Sequence, residues 1–269
     1  MFGFISVDQD PEQFLFYARL RPGLSKEARG TIPLLRRTVE RLRRAYKKAR
    51  IRVRLDAGFA CPQIFKVLEE LKVEYLVAMP GNSRLSSKSL SHMNAARSLT
   101  ATFGGTTTLF GECRYKAKTW KCKRRVTFKA EVVQVSGKSP KDNARYVVTN
   151  LRHDPETVWI LYAQRGDSEN RIKKLKDDLE IDRTSCTSFI ANQVRVLLTA
   201  TAFVLFQELR ASQRGTLLAR CMVGTLRVRL LKIGATIKET ARRVIVSMPK
   251  SHPWRDLWLQ AAKRVAAHM

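Results

Sequence analysis

The sequence predicts an α/β protein in which a mixed β-sheet is flanked by helices. Residues 51–79 read as a strand, a helix and a strand with short connections, which is the pattern of a parallel strand pair within a sheet. Residues 112–150 alternate apolar and basic side chains in the manner of further strands. Two helical segments follow, at 156–181 and 187–212. Together these observations favour one sheet covered by helices.

Local signals define the individual elements. Two short apolar strands, 2–7 and 14–20, enclose the turn-forming stretch "DQDPEQ". Apolar residues at helical spacing predict a helix over 31–48, with Thr31 as its N-cap. Beyond residue 215, "LRVRLLKIGATIKETARRVIVSMP" predicts strands and "WRDLWLQAAKRVAA" predicts a final helix. The strand, helix and strand of the parallel pair are expected at 51–56, 61–72 and 73–79.

Composition divides the chain into three parts. Residues 1–80 form the N-terminal part of the main α/β domain. Residues 81–152 form a β-rich insertion, which begins with a stretch rich in Ser, Thr, Asn and Gly. Residues 153–269 form the C-terminal helical part of the main domain and end in a basic tail.

The charge balance points to a polyanionic partner. The 269 residues carry 51 Lys and Arg against 23 Asp and Glu, a net charge of +28. Such one-sided charge repels itself in a folded domain, and nucleic acid is the first partner that would explain it. The basic residues are spread along the whole chain and not gathered on one amphipathic helix, so an anionic membrane is disfavoured. The longest apolar run, 196–206, is too short to span a bilayer and predicts a buried helix.

Cysteine usage indicates a reducing compartment. The five cysteines are odd in number, form no C-x-x-C pair and lie far from the four histidines. We therefore expect free thiols, with neither a disulfide framework nor a structural zinc site.

Four polar residues share one stripe of the predicted helix 156–181. They are Tyr162, Arg165, Glu169 and Lys176. Successive helix residues turn by about 100°, which places this stripe beside the apolar face, where long side chains can reach into a cleft. The plainer interpretation is a solvated helix surface, because Arg165 and Glu169 form an i, i+4 pair of a kind common on exposed helices. Helix geometry alone favours the plainer interpretation.

A second carboxylate, Asp56, shifts the balance towards a site. Asp56 closes a predicted strand, and binding sites in open α/β sheets form beyond the carboxyl ends of strands. If Asp56 faces Glu169, the pair suits Mg²⁺, which is held by one or two carboxylates together with substrate phosphates. Two such ions about 3.5–4 Å apart can activate the attacking oxygen and stabilise the leaving oxygen in phosphodiester cleavage. Arg165 and Lys176 would then hold phosphates, and Tyr162 would stack on a base or bond a phosphate.

These residues resemble a known family. Tyr162, two residues, Arg165, three residues, Glu169, six residues and Lys176 resemble the YREK signature of bacterial insertion-sequence DDE transposases, in all four letters and all three spacings. Other segments resemble the same family: "ARLRPGLS", "RLDAGFA", "YLVAMPGN" and "DRTSCTSFIANQVRVLLTATAFVLFQELR". The resemblance covers roughly residues 14–260.

The resemblance implies a ribonuclease H-like fold with a β-rich insertion before the glutamate-bearing helix. It implies metal-dependent cleavage at transposon ends and strand transfer into target DNA, without a covalent enzyme–DNA intermediate. Asp56 and Glu169 would be the catalytic ligands of Mg²⁺ or Mn²⁺, and Tyr162, Arg165 and Lys176 would contact the DNA. The implied partners are double-stranded DNA, as transposon ends and as target, and a second copy of the chain in a homodimeric DNA complex. The implied location is cytoplasmic and nucleoid-associated, with no membrane.

One family feature is expected to be absent. Family members carry a first catalytic aspartate on the opening strand of the sheet, whereas the strands at 2–7 and 14–20 resemble the second and third strands. We therefore expect an N-terminally truncated copy that lacks the first strand, its aspartate and the preceding end-recognition domain. Asp8 and Asp10 are candidate substitutes, but their stretch has the composition of a turn. We expect impaired catalysis, lower stability and an open edge in the central sheet.

Two other functions stay open. One alternative is a non-catalytic DNA-binding remnant of a transposase. The other is a generic basic nucleic-acid-binding protein, which a preference for A-form RNA over DNA would distinguish. The basic helix at 31–48 and the stretch "KAKTWKCKRRVTFK" are candidate DNA contacts. A solvated helix face and a plain exposed sheet explain these two segments equally well.

Overall fold

The structure is a computed structural model that describes residues 1–7, 10, 12–23 and 30–267. The chain forms two compact units. One is the continuous segment Gly23–Arg165, and the other combines Met1–Pro22 with Gly166–Met269.

The unit Gly23–Arg165 is built on a five-stranded mixed sheet with the order β3-β4-β7-β6-β5. Its strands are β3 Arg52–Leu55, β4 Glu74–Met79, β5 Thr107–Tyr115, β6 Arg124–Val133 and β7 Lys141–Thr149. β3 and β4 are parallel, with Leu55 opposite Val77, and the other pairs are antiparallel. The predicted α/β class is confirmed, and the mixed sheet is compatible with a ribonuclease H-like arrangement.

Four helices accompany this sheet. They are α1 Thr31–Ala45, α2 Pro62–Glu70, α3 Ser83–Phe103 and α4 Pro155–Ala163. α2 connects the parallel strands and begins with proline at its first turn, where the missing amide hydrogen has no cost. Its residues Ile64, Phe65 and Leu68 are fully buried in the largest apolar cluster of the unit. The predicted strand, helix and strand are therefore present. The N-cap of α1 is Gly30, and not Thr31 as predicted, because Thr31 is already the first helical residue.

Helix α3 corrects the sequence-based expectation of β structure from residue 81 onward. Asn82 caps the helix, since its Oδ1 accepts a hydrogen bond from the Leu85 amide at 3.1 Å. The buried face consists largely of small or polar side chains, which a search for apolar periodicity overlooks. These buried residues are Leu85, Ser89, Met93, Ala96 and Thr100. The predicted strands follow α3 and pair directly with β4 through β7.

The second unit combines two hairpins with helices. Its elements are β1 Phe2–Ile5, β2 Phe14–Ala18, α5 Gly166–Asp177, α6 Phe189–Ala211, α7 Val223–Leu226, β8 Thr236–Thr240, β9 Arg243–Ser247 and α8 Arg255–Ala266. β1 and β2 form the predicted N-terminal hairpin. They pair only with each other, so the expectation that they are strands of the central sheet is wrong within the described residues. The stretch "LRVRLLKIGATIKETARRVIVSMP" holds strands, as predicted, in β8 and β9, but it begins with a π-helix, Arg227–Leu231, that continues α7.

A buried glutamine attaches the first hairpin to α6. The fully buried Gln207 accepts a hydrogen bond from the Leu15 amide at 3.1 Å and donates one to the Gln13 carbonyl at 2.6 Å. Because Gln207 meets the strand with both its donor and its acceptor, the pairing satisfies polar groups that would be costly to bury alone.

Helix α6 is buried along one face only. Val196, Ala200 and Phe203 are buried, whereas Leu198 and Leu205 are more than half exposed. The expectation of a buried helix is therefore correct for part of its surface. Within the described residues, α6 is the one helix whose length and composition would allow it to cross a membrane, and 22% of its most apolar window is buried. One such helix is weak support for a span, because core helices of soluble proteins meet the same test.

Candidate active site

Asp56 stands at the carboxyl end of β3. Its Oδ1 accepts a hydrogen bond from the amide of Ala57 at 2.9 Å and so caps the 3-10 turn Ala57–Phe59. The other oxygen, Oδ2, accepts no hydrogen bond from any residue that the structure describes, and the side chain is 59% exposed. The carboxylate is therefore fixed through one oxygen and accessible through the other.

Arg54 connects the Asp56 strand to the end of α4. Its Nη1 donates to the Leu161 carbonyl at 3.2 Å and to Gln164 Oε1 at 2.9 Å. Residues two apart in a strand point to the same face, so Arg54 and Asp56 lie together on the strand. The sequence analysis did not single out Arg54. The signal was the alternation in "RVRLD", in which the two apolar residues take the face that packs against the core.

Tyr162 and Arg165 join Asp56 at this position. Arg165 Nη2 lies 3.8 Å from Asp56 Oδ1, and the Arg165 guanidinium lies 5.9 Å from the centre of the Tyr162 ring. Tyr162 in turn contacts Trp159 edge to face at 5.7 Å. An ion pair this exposed contributes at most about 1 kcal/mol. The Asp56 carboxylate thus lies beside the Arg165 cation, which is more than a hundred positions away in the sequence and is itself next to the Tyr162 ring.

The single helix predicted over 156–181 is wrong in one respect. α4 ends at Ala163 and α5 begins at Gly166. The Arg165 amide donates to the Tyr162 carbonyl, three residues back, which tightens the last turn of α4. The glycine that follows has low helix propensity. α5 then ends in a left-handed cap at Glu180, where the Ile181 amide donates back to the Leu175 carbonyl.

Glu169 and Lys176 both lie on α5, in the second unit. They are seven residues apart and therefore share one face of the helix, and both are exposed. Lys176 Nζ lies 3.8 Å from Asp182 Oδ2, a partner that the sequence analysis did not anticipate. The helix is broken between the two pairs of signature residues. Tyr162 and Arg165 therefore belong to the unit Gly23–Arg165, whereas Glu169 and Lys176 belong to the second unit. The pairing of Asp56 with Glu169 stays a prediction.

Asp10 belongs to a turn, in agreement with the composition of its stretch. Its Oδ1 accepts the Glu12 amide at 2.9 Å, and its Oδ2 accepts from Arg214 Nη2 at 2.8 Å. These bonds, first that of the Glu12 amide and then that of Arg214, lower the pKa of Asp10. Asp8, the other candidate substitute for a first catalytic aspartate, lies outside the described residues.

The donor chemistry at these positions fits a divalent cation. Mg²⁺ prefers carboxylate oxygens and retains several waters or phosphate oxygens. The accessible Oδ2 of Asp56 and the exposed carboxylate of Glu169 are ligands of that kind. Within the described part of the chain, no group of three His, Cys, Asp or Glu side chains is placed to hold a metal ion.

The mixed sheet, the carboxylate at a strand end and the strongly basic chain define an α/β domain of the class that acts on nucleic acids. Residues 2–269 match the family described as Transposase DDE domain, group 1. The chain belongs to this family, as the resemblance of its motifs indicated. At the family level, membership supports DNA as the partner and transposition-related DNA cleavage with divalent metal ions. No curated protein is significantly similar to the chain.

Proposed function

We propose that the chain is an insertion-sequence transposase of the YREK type, which cleaves DNA at transposon ends and joins the ends to target DNA. The observation that carries the proposal is the convergence of Asp56, Tyr162 and Arg165 at the end of β3, in a chain that belongs to a DDE transposase family. Tyr162 and Arg165 belong to the YREK signature, and Asp56 belongs to the segment "RLDAGFA" that resembles the same family.

In this proposal Asp56 and Glu169 hold the metal, and the basic residues hold the DNA. Bound Mg²⁺ or Mn²⁺ would supply polarisation of the phosphodiester and activation of the attacking oxygen. Arg165, whose Nη2 lies 3.8 Å from Asp56 Oδ1, would donate from its guanidinium to a phosphate oxygen when DNA is bound. Tyr162, braced by Trp159, presents a ring on which a base can stack. Lys176 would hold a second phosphate.

The proposal includes weak catalysis by this chain. Asp10, a candidate substitute for the first catalytic aspartate, is engaged by Arg214. A chain that binds DNA and does not cleave it would be the non-catalytic remnant, the second candidate function. The proposed location is the reducing cytoplasm, which suits the five free cysteines.

Cleavage assays test the proposal. Duplexes tiled across the genomic DNA on both sides of the coding sequence are incubated with the full chain and Mn²⁺, and nicks are mapped. We expect weak, metal-dependent nicking at defined positions, lost in Asp56→Asn and in Glu169→Gln. Asp167→Asn is the matched control, since Asp167 is an exposed carboxylate on the same first turn of α5.

Two results separate the alternatives. Nicking that persists in both carboxylate variants would refute the assignment of the site. DNA binding without any nicking by the unaltered chain would favour the remnant. Tighter binding of A-form RNA than of DNA would favour a generic nucleic-acid-binding protein.

A further inference from the structure

A basic cavity of about 480 Å³ opens in the unit Gly23–Arg165, away from Asp56. Five cations and two carboxylates are among its lining residues. They are Arg114, Lys123, Arg124, Arg125, Arg152, Glu69 and Glu112. The stretch "KAKTWKCKRRVTFK", for which the sequence left a DNA contact and a plain sheet equally open, supplies three of these cations.

Both carboxylates of the cavity are already engaged. Glu69 accepts hydrogen bonds from Arg124 Nε at 2.7 Å and from Arg124 Nη2 at 3.0 Å. Glu112 Oε2 accepts from Arg125 Nε at 2.8 Å. The remaining three cations, Arg114, Lys123 and Arg152, are exposed, and none forms an ion pair with a residue that the structure describes. The cavity therefore keeps a net positive charge after its internal pairs are counted.

Arg124 is held as a rigid donor in the wall of this cavity. Its side chain is only 8% exposed, and its guanidinium lies 5.0 Å from the Phe65 ring and 5.1 Å from the Trp120 ring. Its Nη1 is buried and has no hydrogen-bond partner among the described residues. A buried donor without an acceptor is costly, and an anionic oxygen is the acceptor that a guanidinium prefers.

The cavity lies at the opposite end of the sheet from Asp56. Tyr75, at the start of β4, and Thr149, at the end of β7, line it. β3 runs parallel to β4 from Arg52, which is opposite Glu74, so Asp56 follows the far end of β3. Along the strand direction, the four residues from Arg52 to Asp56, at about 3.3 Å each, separate Asp56 from the cavity end of the sheet by about 13 Å. The cavity is therefore distinct from the candidate active site.

We propose that this cavity binds one phosphodiester of the DNA backbone, at a position apart from the candidate active site at Asp56. Arginine is suited to the task because its planar fork matches two phosphate oxygens. The inference rests on the proposed function only in that the chain binds DNA, and it assigns the cavity a role in holding DNA without chemistry.

The salt dependence of DNA binding tests the proposal. Binding of a duplex of about 20 base pairs is measured in EDTA, so that cleavage plays no part, over a range of NaCl concentrations. Each phosphate contact contributes about 0.9 to the slope of log K against log salt. We expect Arg114→Gln with Arg152→Gln to lower the slope by about 0.9. Between 1 M and 0.1 M salt, a slope difference of that size changes the binding constant about eightfold, so binding at 0.1 M salt should weaken about eightfold.

Two matched variants complete the experiment. Lys138→Gln with Lys141→Gln removes the same charge from exposed positions around the start of β7, far from the cavity, and should change the slope by much less. Arg114→Lys with Arg152→Lys keeps the charge and should restore most of the slope.

If the two charge-removing variants lower the slope equally, the cavity has no special role, and this inference is overturned while DNA binding stands. If the unaltered chain binds DNA without a steep salt response, both the inference and the DNA-binding part of the proposed function are wrong. Because all substituted residues are exposed, an unchanged thermal unfolding midpoint shows that the variants are folded.

Discussion

One carboxylate in the second unit lies between a buried and a partly buried arginine, and its removal should be among the most destabilising single changes in this unit. Glu12, 15% exposed, lies 3.5 Å from Arg171 and 3.5 Å from Arg210, and it accepts a hydrogen bond from Gln207 Nε2 at 3.1 Å. The Arg210 side chain is only 5% exposed. Burial lowers the pKa of Arg210, and the negative charge of Glu12 acts in the opposite direction.

Glu12→Gln removes the negative charge that lies beside both guanidinium groups. Removal of one partner from a buried ion pair costs about 3–5 kcal/mol, and the 3.5 Å contacts place this pair at the lower end, about 3 kcal/mol. A loss of that size is a large share of the 5–15 kcal/mol that typically stabilises a folded protein. For a chain of this size it lowers the unfolding midpoint by roughly 6–12 °C.

Urea denaturation followed by circular dichroism measures the loss. Glu208→Gln is the matched control, because Glu208 is an exposed carboxylate on the same helix as Arg210 and should change stability by less than about 0.5 kcal/mol. Arg210→Met combined with Glu12→Gln should cost less than the sum of the two single changes, since it removes part of the uncompensated charge. A loss below about 1 kcal/mol in Glu12→Gln would refute the reasoning.

Two further predictions concern the unit Gly23–Arg165. Burial, followed by the nearby charge of Glu69, strongly raises the pKa of Tyr75, so the folded state keeps the phenol proton at a pH where the unfolded chain loses it. Stability from this group is complete below about pH 10 and falls as pH rises further, by up to about 1.4 kcal/mol per unit, and denaturation of Tyr75→Phe should show a flatter pH profile above pH 10. A methyl group on Gly111 would lie 2.5 Å from Phe128 Cζ, so Gly111→Ala should cost about 1–3 kcal/mol. Gly166→Ala meets no atom within 4 Å and should be neutral or stabilising by up to about 1 kcal/mol; equal losses in the two alanine variants would contradict the steric argument.

The sequence predicted the parallel strand pair and α2 well because their signals are local. Pro62 marks the start of α2, and continuous apolar runs mark the strands. It missed α3 because that helix buries residues such as Ser89 and Thr100, which carry no apolar signal. It also missed the break after Ala163, since neither Gln164 nor Arg165 is a poor helix former.

The candidate site was accessible to sequence reasoning only in part. The motif spacing singled out Tyr162 and Arg165, and the end of a predicted strand singled out Asp56. Arg165 and Asp56 lie 3.8 Å apart. Arg54, which ties the strand to α4, was overlooked because its role depends on a partner more than a hundred residues away. The geometry between Glu169 and Asp56 is a matter of how two units combine, which no local pattern encodes.

The position of β3 at the edge of its sheet affects how easily the strand that precedes Asp56 opens. In the part of the chain that the structure describes, β3 has one neighbouring strand, β4, so its other side offers amide and carbonyl groups that no strand holds. Such a strand opens locally at a lower free energy than an interior strand. Asp56 follows it directly, so the carboxylate proposed to bind metal stands at the end of the shorter of the two edge strands of the sheet. The parallel register turns the amides of Val53 and Leu55 towards β4, so hydrogen exchange at these two residues should report ligand binding before the interior of the sheet responds.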